Sequence, residues 1–239
     1  MASAQPSEPS PAISGAGGGS AVIAIVGGTG PLGRGLAYRF ACAGRRVVIG
    51  SRCGDRARAA AAELSAWPGV RGSIGGTSNV MAGHDGDVAI IAVPWEGHAE
   101  TVTALRDCLA GKLVIDCVNP LGFDERGPYA LRVPEGSAAE QAQSLLPDSR
   151  VCAAFHHASA RLLTDSNVDS IDLDVLVLGD DRLAVAAVIE LAEAIPGVRG
   201  VHAGRLRNAG PVEALAGNLI AINRRYRTQA GVRVTNLTA

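Results

Sequence analysis

The chain has 239 residues, 47% of them apolar, and a formal net charge of -1. That length and apolar share can bury a sizeable core as one domain, and the near-neutral balance lacks the basic excess of a protein that grips phosphate backbones, so no nucleic-acid partner is expected. The five cysteines, Cys42, Cys53, Cys108, Cys117 and Cys152, are scattered and form no Cys-x-x-Cys pair, which argues against a disulfide framework or a zinc site and for thiols in a reducing cytoplasm.

Residues 1–20 are rich in Ser, Pro, Gly and Ala, carry no Lys or Arg and offer no apolar run for a signal peptide. They read as a disordered tail ahead of a single domain over 21–239. No stretch approaches the roughly 20 consecutive apolar residues of a membrane helix, so no membrane partner is expected. An apolar strand over 21–26 ends in glycines, and helical periodicity follows over 32–43. The pattern repeats with a β-branched strand over 46–50 and an Ala/Arg-rich helix over 55–66. Glycines blur the next stretch, where a short strand is placed near Ile74. A continuous apolar strand over 88–93, a helix from about 97 to 109 and a strand over 113–117 complete this half. Strands that alternate with helices and are apolar on both faces indicate a Rossmann-like, doubly wound, mostly parallel α/β sheet.

Residues 118–136 contain three prolines and three glycines and form a longer connection than the topology needs, as functional loops do. Beyond it come a helix over 138–146, strands over 150–155, 174–178 and 198–202, and helices over 182–194 and 212–227. The part from about 150 onward is read as a small C-terminal α/β lobe. No internal repeat or heptad pattern appears.

Gly28-x-Gly30-x-x-Gly33 directly follows the first strand and opens the first helix, the setting that a dinucleotide fingerprint requires. Glycines let the backbone turn sharply and approach a pyrophosphate, and the helix start supplies free N–H groups. Pro31 removes no hydrogen bond there. An NAD site would carry Asp or Glu about 20 residues after the glycines. This chain has Gly50-Ser51-Arg52 instead. Arg52 can fork onto a 2′-phosphate, Ser51 and Thr29 can donate hydroxyls, and Arg56 adds charge one turn later, so NADP is preferred over NAD. A solvated helix face is the alternative for these arginines.

Ligands of such sheets lie beyond the carboxyl ends of the strands, which brings Val93-Pro94-Trp95-Glu96 and Val118-Asn119-Pro120-Leu121 toward the reacting ring. Pro94 stiffens its turn, Trp95 offers either a flat ring surface or a core filler, and Asn119 carries both donor and acceptor. The adjacent pair His156-His157 suits a proton donor or a hydrogen-bonding wall better than a metal, although a structural role fits either histidine. Six aspartates and no basic residue lie between 164 and 181, against seven arginines and only Glu213 between 199 and 233. The arginines could meet an anionic ligand or a facing subunit, or pair with their own surface.

Together these pieces resemble the NADPH-dependent reductases of the 8-hydroxy-5-deazaflavin coenzyme F420, the deazaflavin:NADP oxidoreductases. The segments that carry the resemblance are Val26-Gly-Gly-Thr-Gly-Pro-Leu-Gly-Arg-Gly-Leu36, Ile49-Gly-Ser-Arg52, Ala92-Val-Pro-Trp-Glu96, Asp116-Cys-Val-Asn-Pro-Leu-Gly-Phe123, Gly136-Ser-Ala-Ala-Glu140, Ala153-Ala-Phe-His-His157 and Gly204-Arg-Leu-Arg-Asn208. The resemblance implies a homodimer and direct hydride exchange between stacked NADP(H) and F420 rings. It further implies that Thr29, Gly30, Pro31, Leu32, Ser51, Arg52 and Arg56 hold NADP, that Trp95, Asn119 and Ala160 line its path, and that His156 lies near the deazaflavin. Gly97 between Glu96 and His98, and His157-Ala158-Ser159 after His156, depart from shorter members. Two further readings stand beside this one: an NADP-dependent imine or carbonyl reductase, which would want a Tyr, Asp or Lys proton donor in the pocket, and a non-catalytic NADP(H)-sensing module.

Overall fold

Ile23 and Ile25 of the first strand are as buried as Ala24 and Val26, yet the two pairs belong to different apolar clusters, one on each face of a sheet. Alternate side chains of a strand point to opposite faces, so a strand buried on both sides must be covered by helices on both. The computed structural model describes residues 21–237, and the tail expected over 1–20 lies outside them.

The first unit is β1 (Val22–Val26), α1 (Pro31–Cys42), β2 (Arg46–Ser51), α2 (Gly54–Ser65), β3 (Ser73–Ser78) and α3 (Asn79–Asp85). Next come β4 (Val88–Ile91), a 3₁₀ turn at Trp95–Gly97, α4 (His98–Ala104), α5 (Arg106–Leu109) and β5 (Leu113–Asp116). The helix expected over 97–109 is therefore broken, at Leu105, a buried residue between the two short helices. A hairpin of β6 (Leu121–Asp124) and β7 (Gly127–Ala130) follows, then α6 (Ala138–Leu145), β8 (Arg150–Ala153), α7 (Ala160–Thr164), β9 (Leu173–Gly179), α8 (Arg182–Glu193), β10 (Val198–Gly204) and α9 (Ala209–Tyr226).

The main sheet has the order β10-β9-β8-β5-β4-β1-β2-β3. Six strands, from β3 to β8, run parallel, whereas β9 lies antiparallel to β8 and β10 parallel to β9, so the last two strands extend the same sheet in the opposite direction. From β1 the chain moves outward through β2 to β3 and then returns to β4 on the other side of β1. That reversal opens a crevice beyond the carboxyl ends of β1 and β4, the place where doubly wound sheets hold ligands.

Short elements unseen in the sequence frame this crevice. Ser78 caps α3 by accepting the N–H of Met81, and Ser159 caps α7 by accepting that of Leu162. The buried Arg39 of α1 donates to the carbonyls of Leu162, Leu163, Asp165 and Val168, satisfying the end of α7 and fixing it to α1. Among the described residues no helix is long and apolar enough to cross a membrane.

Candidate functional site

Gly27 takes φ of +72°, a left-handed conformation that favours glycine, and a Cβ there would sit 2.6 Å from Val93 Cγ1 and 2.8 Å from the Ala92 carbonyl oxygen. The loop after β1 thus lies directly against the loop after β4. Gly27 N–H donates to Asn79 Oδ1 at 3.1 Å, and Gly28 N–H donates to the carbonyls of Ile25 and Gly50 at 3.1 and 3.0 Å. Gly28 and Gly33 interlock, since a Cβ on Gly33 would stand 2.5 Å from Gly28 Cα. Gly30 differs. Its φ of -74° is open to any residue, and a Cβ would meet only the Gly27 carbonyl oxygen, at an ordinary 3.6 Å. The fold does not need glycine at 30, whereas a phosphate resting on the start of α1 would need it. No side chain caps this helix start, where Pro31 is exposed and Thr29 and Leu32 are half-buried.

Ser51 ends β2 beside this loop, buried, with its hydroxyl oxygen accepting the Cys53 N–H. Arg52 and Arg56 follow on the surface. Of the three nearby arginines, Arg58 pairs with Asp55, while Arg52 and Arg56 have no ion pair among the described residues. Two cations, one directly after β2 and one on the first turn of α2, therefore stand without an ion pair among the described residues.

Beyond β4, exposed Pro94 leads into the turn that carries half-buried Trp95. The indole stacks on His98, with ring centroids 5.6 Å apart and planes inclined by 27°. His98 is fully buried, its Nε2 2.7 Å from Asp116 Oδ2 and its Nδ1 2.8 Å from Gln141 Oε1. Burial would lower the imidazole pKa, but the hydrogen bond and charge of Asp116, with Gln141, raise it above the ordinary histidine value. Asp116 Oδ1 accepts the Val118 N–H at 2.9 Å and so shapes the turn that presents Asn119. Close by, Glu213 of α9 accepts the N–H groups of Ala138 and Ala139 at the start of α6, and burial still raises its pKa to about 7.

Asn119 reaches across from β5 to β8, its Nδ2 donating to the His156 carbonyl at 2.8 Å. Its Oδ1 is buried without a hydrogen-bond partner, and the buried His156 ring lies against the backbone of Cys117 and Val118. Burial lowers the His156 pKa to about 4, so the ring is neutral at physiological pH. Phe155, just before it, adopts φ of +64°, which for a bulky side chain stores about 1–3 kcal/mol of strain. His157 donates from Nε2 to the Asp174 carbonyl at 2.7 Å and belongs to the core. Ala160 opens α7, close to Gly35 of α1.

The expected residues thus fall on the loops after β1, β2, β4, β5 and β8, at the end of β2 and on the first turns of α1, α2 and α7. Asn79, His98, Asp116, Gln141 and Glu213 went unread as site residues, although Asp116 carries a signal: a charged residue ending a buried apolar strand needs a partner. The two charged runs of the last third meet in part, through three of the seven arginines and three of the six aspartates. Asp174 binds Arg199 and Arg233, Asp172 also binds Arg233, and Asp180 lies 3.6 Å from Arg205.

Residues 22–120 match the protein family described as NADP oxidoreductase, coenzyme F420-dependent. The chain is 39% identical over 221 residues to the F420-dependent NADP reductase of Methanothermobacter thermautotrophicus, covering 90% of this chain and 95% of that one. It is 37% identical to the F420-dependent NADP reductase of Methanocaldococcus jannaschii, covering 90% and 98% respectively. Among solved structures, a chain from Arthrobacter sp. FB24 proposed to be an F420-dependent NADP reductase superposes with a TM-score of 0.72 at 25% identity, covering 90% of this chain and 99% of that one.

Proposed function

The chain belongs to the family of F420-dependent NADP reductases, and from that premise we propose which of its residues serve each coenzyme. It is an NADP-dependent oxidoreductase that transfers a hydride between NADP(H) and F420. The hydride chemistry is supplied by the two coenzymes when bound. What the protein contributes is binding, orientation and exclusion of water.

NADP lies along the crevice, its pyrophosphate on Gly28, Thr29, Gly30, Pro31, Leu32 and Gly33 and its 2′-phosphate on Ser51, Arg52 and Arg56. Pro94, Trp95, Asn119 and Ala160 would line the path of NADP toward its nicotinamide. His156 and Asn119 form the polar wall toward F420. The reading is carried by Gly30: its missing side chain serves no need of the fold and leaves open the place where a phosphate would rest. Support on the F420 side comes from the partnerless Oδ1 of Asn119, since leaving such a group unpaired costs about 1–3 kcal/mol and a polar ring edge would satisfy it. A neutral His156 can donate from one nitrogen and accept at the other.

The protein acts in the cytoplasm as a homodimer. Phe123 and Tyr129 of the hairpin and Ile220, Ile222 and Tyr226 of α9 are exposed, an apolar surface that favours a second copy. Light scattering of the eluting peak tests the dimer. Mixing NADPH with oxidised F420 and catalytic protein tests the reaction: bleaching of the deazaflavin visible absorbance is expected. NADPH binding without bleaching would return the protein to the class of NADP(H)-sensing modules.

A further inference from the structure

We propose that His98 is a positioning residue for this reaction: its two N–H groups lock Asp116 and Gln141, Asp116 fixes the turn carrying Asn119, and its ring face sets the plane of Trp95. The inference rests on the crevice assigned above, because Trp95 and Asn119 are its nicotinamide-side walls.

Hydrogen-bond geometry favours a charged ring here. Gln141 Nε2 donates to Glu135 Oε2, which turns Oε1 toward His98 Nδ1. Asp116 Oδ2 faces Nε2. Both ring nitrogens therefore confront acceptors, and only an imidazolium has a proton for each. The charged groups around it are Asp116 on β5, behind Gln141 Glu135, and Glu213 on α9, which adds its negative charge only above about pH 7; all are of the sign that retains the proton. A lone buried imidazolium would be prohibitive, but this one is paired and bonded at both ends. The pair leaves Asp116 with its second oxygen committed to the Val118 N–H. Above the ring, Trp95 stacks nearly parallel, a cation on an indole face. One buried side chain thus holds two separate loops, those after β4 and β5, in mutual register.

Because a protonated imidazole quenches a stacked indole, Trp95 emission in the coenzyme-free protein reports this contact directly. The second tryptophan, Trp67, packs on Tyr38 away from the crevice and can be removed as Trp67→Phe. In that background Trp95 emission should rise with pH as His98 loses its proton. The transition should move to lower pH by about 1–3 units in Asp116→Asn and vanish in His98→Phe. The amide introduced by Asp116→Asn would still accept from Val118 and could donate to a neutral His98, so kcat should fall far less in that variant than in His98→Phe. In the latter, kcat should drop roughly tenfold or more while KM for NADPH moves less than about threefold, the mark of misplaced rings over an intact phosphate loop. A pH-independent Trp95 emission in the parent background, or a folded His98→Phe protein with unchanged kcat, overturns the proposal. Should His98→Phe fail to fold, the shift in Asp116→Asn decides. The emission titration stands apart from turnover, so wild-type protein that never bleaches F420 would refute the assigned reaction and leave the His98 contact to be judged separately.

Discussion

Placing the same methyl group on two glycines of one loop should separate what the fold requires from what the ligand requires. Gly33→Ala drives a Cβ to 2.5 Å from Gly28 Cα and 3.0 Å from its carbonyl carbon, contacts with backbone that no rotamer change relieves. Overpacking of this kind costs about 1–3 kcal/mol, which for a domain of this size lowers Tm by roughly 3–10 °C. Gly30→Ala meets only an oxygen at 3.6 Å, at a φ that alanine adopts freely. The entropy removed from the unfolded chain stabilises by a few tenths of a kcal/mol, and the poorer helix cap offsets about as much, so Tm should stay within about 2 °C. Its Cβ, however, occupies the approach to the helix start. Losing two charge-assisted N–H bonds to phosphate at about 1.5 kcal/mol each corresponds to roughly a hundredfold weaker NADPH binding. Differential scanning fluorimetry of the coenzyme-free proteins and titration with NADPH check both halves. A Gly30→Ala protein that binds NADPH like wild type refutes the reasoning, as does one destabilised as much as Gly33→Ala.

Arg52→Ala with Arg56→Ala should weaken NADPH binding by about tenfold to a hundredfold while leaving NADH binding within about twofold, and the difference should shrink as salt rises; fluorescence titrations with both dinucleotides read it directly. His156, neutral in the fold with a pKa lowered to about 4, takes up fewer protons than in the unfolded chain, so its contribution to stability is full above pH 6.5 and is lost as pH falls toward 4. Denaturant melts at pH 7.5 and 4.5 should show wild type losing about 2–3 kcal/mol more than His156→Leu, and equal losses would count against a buried neutral ring. Asp174 accepts from Arg199, Arg233 and the Val234 N–H, which pins the segment after α9. Asp174→Asn should make that segment roughly tenfold more sensitive to limited proteolysis, the equivalent of one charge-assisted bond, and unchanged cutting would assign the anchoring elsewhere.

The long elements were legible because their burial is two-sided and their period unambiguous: β1, β2, β4 and β5 read as continuous apolar runs, and α1, α2 and α8 as helical stripes. The helix α3 was hidden by its own Gly83, which is small because Cys108 Sγ and Leu105 press on it, a tertiary cause with no local trace. The hairpin β6–β7 was hidden by Pro128 and Gly127, residues that read as loop but are tolerated in a two-stranded ribbon. Of the candidate site, the glycine loop and Ser51-Arg52 stand out in the sequence since the chemistry proposed for them is local. The contacts of His98 with Asp116 and Gln141 join positions 18 and 43 residues apart, and only packing brings them together.

The same packing bears on which reductase chemistry this crevice suits. Reducing a carbonyl or imine needs a proton donor beside the hydride acceptor, usually a tyrosine, aspartate or lysine. Tyr38 is buried on α1 with its hydroxyl donating to the Pro68 carbonyl, ahead of the start of β3 and so toward the opposite ends of the strands from the crevice. Tyr129 lies over Gly122 in the hairpin, and Tyr226 is exposed at the end of α9. Lys112, the one lysine, caps α3 through the carbonyls of Gly83, His84 and Gly86. Asp116 is committed to His98 and Val118, and His156 is held neutral. Tyr38 and Lys112 are thus spent on structural bonds, Asp116 is held as the partner of His98, and His156 lacks the second proton of an imidazolium, so none of these four is free to serve as the acid. Hydride exchange between two coenzyme rings asks for none of them. It asks for two planes held in register with water kept out, and the stacked Trp95, the fixed Asn119 turn and the buried His156 wall are suited to that task.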